Sequence, residues 1–261
     1  VQMVGVQVRL QEENVCPVVY IEPFFNEIRL GEPVDKVMNE IARCMEEAGK
    51  VPFVHSGINP MDYDSVKEHL AVMLVNTQAN KRMLQEMPHE NMEDLSAICY
   101  VDFPVESNDG KATMKVKNEH LKMWKVSEED IYYRACKNTQ KLLPYDFSTM
   151  RSVIMELLEI GREIEEQTGK MYILSNVMRS YGACAMMYPD LLRKIGEELE
   201  ENYYILPSSV HETIIVAESE APGKEELCEM IEEINETQVE EEEVLSNRAY
   251  YYECDTGKLL F

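Results

Sequence analysis

The chain has 261 residues, 45% of them apolar and 28% charged, with 49 acids against 25 lysines and arginines for a net charge of −24. This is the composition of a folded globular protein with room for one large domain or two small ones, and it excludes wholesale disorder and fibrous repeats. No apolar run approaches the roughly 20 residues that a membrane-spanning helix needs, so a soluble chain with no membrane partner is expected.

Residues 6–24 read as two strands, because Val6, Val8 and Leu10 alternate with polar positions and Pro17 to Ile21 is β-branched and aromatic. Pro33 opens a helix with the stripe Val34, Val37, Met38, Ile41 and Met45, and Gly49 is placed to end it. Residues 52–60 form a connection, and a short helix follows from about Asp64. Leu70 to Val75 either continues that helix or forms a buried strand, which periodicity leaves open. Thr77 caps a helix that turns Met83, Leu84 and Met87 inward and stops at Pro88. Residues 95–105 and 112–116 make a hairpin about Ser107 to Gly110, where the Asp-Gly dipeptide accepts the positive φ angles of a tight turn.

Ser127 stands at capping-box spacing from Asp130, with Asp in place of the usual Glu or Gln, and starts a helix to about Leu142. A long helix over about 149–168 ends at Gly169, Met171 to Leu174 is a strand, and Pro189 suits the first turn of a helix burying Leu191, Leu192, Ile195 and Leu199. Tyr203 to Leu206 and Val210 to Ala217 read as strands around Pro207, Ser208 and Ser209. After Gly223 a helix turns Leu227, Met230, Ile231 and Ile234 to the core and its glutamates outward, and a last strand pair brackets Asp255 to Gly257. Hairpins alternating with helices, without a repeated strand-helix-strand unit, predict an α+β fold with mixed or antiparallel sheets. A loose echo, hairpin then helix in 95–142 and again in 203–238, suggests lobes at 1–146 and 147–261, the second carrying the acidic helix.

The acidity is local. Residues 195–243 hold seventeen acids and one base, Lys224, whereas 111–125 holds five lysines and one acid. A strongly acidic chain repels nucleic acid and anionic lipid and steers basic partners toward itself, so direct nucleic-acid binding is disfavoured. A chain of this size exposes about one net charge per 500 Å², against roughly one per 100 Å² for duplex DNA, so mimicry of DNA would need the 195–243 acids gathered on one face.

Seven cysteines, an odd count without a Cys-x-x-Cys pair, fit a reducing cytosol. No two of the five histidines lie at i,i+2 or i,i+4, and no glycine-rich phosphate loop occurs, so neither a metal nor a nucleotide cofactor is expected. The one crowding of hydroxyls, imidazole and carboxylate is Pro207-Ser-Ser-Val-His-Glu212. In extended backbone, Ser209 and His211 share a face about 6.6 Å apart and Glu212 points away, so no triad assembles locally. The plainer alternative is that Ser208 and Ser209 bond turn backbone while His211 is structural.

Four strings, His120 to Ile131 continuing to Asn138, Met171 to Asn176, Tyr203 to Glu212, and Leu245 to Arg248, resemble an uncharacterised family of bacterial domain-of-unknown-function proteins over most of the chain. The resemblance implies a cytoplasmic bacterial protein, with an additional helix before Val1, and brings no activity, cofactor or catalytic residue. The leading expectation is a non-catalytic cytoplasmic accessory protein that binds a protein partner, a basic one, through an acidic surface at Glu225, Glu229, Glu232, Glu233 and Glu236. The alternative is a hydrolase-like or small-ligand enzyme using the Ser208, Ser209, His211 and Glu212 cluster, with His211 as base and a remote carboxylate or Asn138 in support. A DNA-mimic inhibitor is the third.

Overall fold

The structure, a computed structural model, describes residues 5–7, 18–20, 24, 28–29, 31–50, 58–104, 112–157, 171–207, 209–237 and 239–261. The chain forms two compact units, Val1–Ile58 with Pro104–Ala112, and Asn59–Phe103 with Thr113–Phe261. In the first unit, β1 (Gly5–Gln7) and β2 (Val18–Tyr20) pair antiparallel with Val6 opposite Val19, and α1 (Val34–Lys50) follows Pro33 as its stripe predicts. Most of the 52–60 connection, the Ser107 to Gly110 turn, Ser208, and the helix expected beyond Leu157 lie outside the described residues.

The second unit is α+β, built on two antiparallel sheets. Its first sheet opens after α2 (Tyr63–Val66) and a 3-10 turn, Lys67–His69. Here the ambiguous apolar run is β3 (Leu70–Asn76), paired along its whole length with β5 (Leu95–Phe103), and Leu70 to Val75 are all buried. Burial on both faces explains why the run lacks a period-2 alternation. The helix expected at Thr77 shrinks to one turn, α3 (Lys81–Leu84), which leads through buried Met87 into β4 (His89–Met92) on the far side of β5. β6 (Ala112–Lys115) also pairs with β5, and α4 (Asn118–Trp124) follows it.

Next comes α5 (Glu128–Leu142), starting where its cap predicts: the Ser127 hydroxyl accepts from the Asp130 N–H at 3.0 Å. Its buried Thr139 receives the N–H of Val72, so the helix satisfies part of the β3 edge left open by β5. Ala71, Met73, Leu84, Met87, Ile98, Tyr100 and Leu143 form one core on this sheet.

The second sheet runs β12-β11-β9-β10-β8-β7. Its members are β7 (Tyr145–Thr149), β8 (Met171–Asn176), β9 (Tyr203–Leu206), β10 (Thr213–Ala217), β11 (Tyr250–Glu253) and β12 (Lys258–Leu260). Between them lie α6 (Met150–Leu157), a 3-10 segment Gly182–Met187, α7 (Leu191–Leu199) and α8 (Lys224–Thr237). Leu227 and Ile231 of α8 pack on Leu206, Val216 and Ala249. Met230, expected inward, is 39% exposed. The second sheet begins with β7 at Tyr145, whereas the compact units divide at 58/59 and around 104–112.

The two sheets of this unit are joined by polar contacts at Asp94, in the β4–β5 turn. Its carboxylate accepts from the hydroxyls of buried Ser246 and Tyr250 at 2.6 and 2.7 Å. No helix among the described residues is long and apolar enough to cross a membrane.

Candidate functional site

The Pro207 to Glu212 cluster is a loop, not the start of β10, which begins only at Thr213. Backbone pairing with the segment after α8 sets its course: Ser209 bridges Val244, and the Val210 N–H donates to the Glu243 carbonyl at 2.9 Å. On its other side, the Ala183 N–H donates to the Val210 carbonyl and the Ser175 hydroxyl donates to the His211 carbonyl at 2.8 Å.

The imidazole of His211 is held at both nitrogens. Nδ1 accepts from the Tyr181 N–H at 3.2 Å, and Nε2 lies 3.1 Å from the Glu243 carboxylate. An Nδ1 that accepts a backbone N–H carries no proton, so the neutral ring is the Nε2–H tautomer, donating to Glu243. The ring also stacks on Tyr181, with centroids 5.7 Å apart. In alkaline buffer, long-range proton–nitrogen correlation is expected to show the Nε2–H pattern for His211, in the wild type and in Glu243→Gln alike. The Nδ1–H pattern would break the Tyr181 contact.

Ser209 does not face this ring as a nucleophile would. Its hydroxyl accepts from the His211 backbone N–H at 3.0 Å, a local turn bond. Burial pushes the Glu212 carboxyl above its usual range, while the neighbouring His211, Arg179 and Ser209 pull it back. The remote carboxylate on His211 is Glu243, the last of the acids counted over 195–243. Asn138 is not joined to this loop by any hydrogen bond among the described residues; its amide donates to the Lys67 carbonyl at 2.7 Å.

Tyr181 belongs to a second loop, 177–181, that follows β8. Asn176 shapes it: its side-chain oxygen accepts from the Met178 and Ser180 N–H groups, and its amide donates to the Ser180 carbonyl. Arg179 and Tyr181 sit in the left-handed region at φ 50° and 53°, unusual for residues with a Cβ and found where surrounding structure enforces it. Arg179 pairs with Asp146 at 2.8 Å, and the loop tip exposes Val177 and Met178.

On α8, Glu225, Glu229, Glu232, Glu233 and Glu236 are all exposed, as is Glu226. None forms an ion pair with another described residue. Helical spacing sets Met230 between Glu226, Glu229 and Glu233. The acidic face continues through Glu240, Glu241 and Glu242 to Glu243, the residue that grips His211. No group of three or more His, Cys, Asp or Glu side chains placed to hold a metal ion occurs among the described residues.

A family of unknown function, DUF5688, matches residues 1–254. The chain belongs to that family. Neither a curated protein nor a solved structure matches it. In this DUF5688 chain three of the four resembling strings meet around one place. Ser175 and Asn176 close β8, Tyr203 to Glu212 supplies β9 and the His211 loop, and Leu245 to Arg248 follows Val244, the bridge partner of Ser209. Nothing in the local sequence marks the meeting, because Tyr181 lies 30 residues before His211 and Glu243 lies 32 after it.

Proposed function

We propose that the chain is a non-catalytic accessory protein of the cytoplasm that binds a basic protein segment through the outer face of α8 and the acidic turn after it. One observation carries this reading: the α8 carboxylates stand exposed and unneutralised around an exposed Met230. Repulsion among unpaired like charges is a standing cost that a basic partner relieves, and a methionine amid them offers a polarizable, adaptable apolar anchor. A cationic amphipathic helix, with an apolar stripe for Met230 and lysines for the glutamates, has the matching chemistry. Free thiols at the six described cysteines agree with a reducing compartment.

Fluorescence anisotropy with a labelled Lys/Leu amphipathic peptide tests the reading. Glu229→Gln, Glu232→Gln and Glu233→Gln together are expected to weaken binding about tenfold at low salt, and Met230→Ala a further few-fold without any change of charge. Neutralising Glu119, Glu128 and Glu129 on α4 and α5 removes the same charge and serves as the control. Equal loss in both triple variants would reduce the effect to bulk charge and sink the proposal. Tight binding of a phosphate-mimicking competitor's target, a DNA-binding domain, in place of the peptide would favour mimicry instead.

A further inference from the structure

A cavity of about 540 Å³ opens within the second unit between α5, Val72 of β3 and the 3-10 segment Gly182–Met187. It is not lined by the His211 loop or by α8, and neither the family description nor the acidic-surface reading uses it. Val72, Cys136, Cys184, Met187 and Tyr188 make its walls, and exposed Tyr133 and Lys137 stand at its rim.

The polar atoms of the walls are engaged elsewhere. Thr139 donates to the Ala135 carbonyl at 2.6 Å and accepts from the Val72 N–H at 2.9 Å, and the Tyr188 hydroxyl donates to the Leu143 carbonyl at 2.7 Å. Burial pushes the Cys184 thiol up to about 12 and raises Cys136 as well, so both are neutral, soft, weakly polar surfaces. Gln140, exposed, adds one amide to the lining, and the buried walls otherwise offer a ligand apolar contact.

Charge enters at a single place. Lys137 forms no ion pair with a described residue, although the chain carries 49 acids, whereas its neighbour one turn back, Arg134, is paired with Glu68 at 3.0 Å. The acids of α5 are confined to its first turn, at Glu128, Glu129 and Asp130, two turns away from Lys137. An apolar volume in the range of ligand sites, with one unpaired cation at its mouth, fits an apolar body ending in one anion.

We infer that this cavity binds a medium-chain fatty acid, its alkyl chain between α5 and the Gly182–Met187 segment and its carboxylate at Lys137. At about 30 Å³ for each water-sized group the cavity has room for roughly 18 of them, enough for a ten-carbon chain with its carboxylate. Filling an apolar void restores the dispersion contacts its lining lacks, so an occupant also raises thermal stability.

Calorimetric titration and thermal melting of the full chain with decanoate, decanol and decyltrimethylammonium, each below its micelle concentration, test this. Decanoate is expected to bind with a micromolar Kd and raise Tm, decanol to bind about fivefold more weakly, and the ammonium most weakly. Lys137→Gln should bring decanoate down to the level of decanol and leave decanol unchanged. Cys136→Phe, which fills the cavity, should abolish both. Because the filled variant can fail to fold, the surface substitution Lys137→Gln decides. Absence of decanoate binding, equal binding of decanoate and the ammonium, or decanoate binding indifferent to Lys137→Gln would each overturn the inference.

Discussion

Gly182→Ala is expected to destabilise the protein by about 3 kcal/mol, the upper range of overpacking in a tight site. Gly182 is buried at the start of its 3-10 segment, where three pieces of chain converge. A Cβ there would stand 2.5 Å from the His211 carbonyl oxygen and 2.7 Å from the Asn176 N, and would also overlap the Ser175 hydroxyl. Two of those atoms are backbone, so relief requires moving β8 or the His211 loop rather than rotating a side chain. The hydrogen bond from Ser175 to the His211 carbonyl lies in the same gap.

Gly196→Ala is the matched control. Its Cβ would also meet a neighbour at 2.5 Å, but that neighbour is the Cys254 sulfur, the end of a movable side chain. Chemical denaturation should therefore show a loss of about 1 kcal/mol at Gly196 against about 3 at Gly182. Equal midpoints for the two variants would mean that the close approach under His211 does not exist.

Asp94→Ala should cost about 3 kcal/mol by another route. The substitution removes two charge-assisted hydrogen bonds and strands the hydroxyls of Ser246 and Tyr250, both fully buried. Tyr250→Phe removes only one bond and leaves no stranded hydroxyl on its own side, so a smaller loss, about 1 kcal/mol, is expected. In the double variant the losses should fall short of the sum, because the Tyr250 hydroxyl is no longer there to be stranded. Additive losses would show that Asp94 and Tyr250 act independently.

The same contact sets an alkaline limit. Burial, and then the Asp94 carboxylate, hold the Tyr250 phenol above its ordinary value, so the folded state favours the neutral hydroxyl. A raised value in the folded state leaves stability intact below the unfolded phenol's pKa of about 10 and erodes it as pH rises beyond. Asp94→Ala should lessen that erosion, since one of its two causes is gone.

Where a signal was local, the sequence reading and the structure agree closely. Ser127 with Asp130 foretold the start of α5, the stripe at Leu191, Ile195 and Leu199 foretold α7, and Asp255 to Gly257 foretold the β11–β12 turn. The missed strands are those whose partners supply the reason for them. β4 is His-Glu-Asn-Met and β7 is Tyr-Asp-Phe-Ser-Thr; both gain their conformation from pairing with β5 and β8 at sheet edges. Residues 210–212 read as the start of a strand that in fact begins at Thr213, and backbone bonds tie Val210 to Glu243 and Ala183 instead. Met230 fitted a core stripe by spacing, but the sheet beneath α8 reaches only Leu227 and Ile231.

By itself the sequence determined the α+β class, the helix caps and stripes, the concentration of acid around 195–243, and the outward glutamates of α8, because each depends on residues within a few positions of one another. Only the tertiary structure decided that Glu243 and Tyr181 hold His211, that Asp94 ties the two sheets, and that α5 leaves a cavity over β3. Those contacts join residues from about thirty to more than 150 positions apart. Their partners are chosen by how sheets and helices pack, which no short-range periodicity encodes.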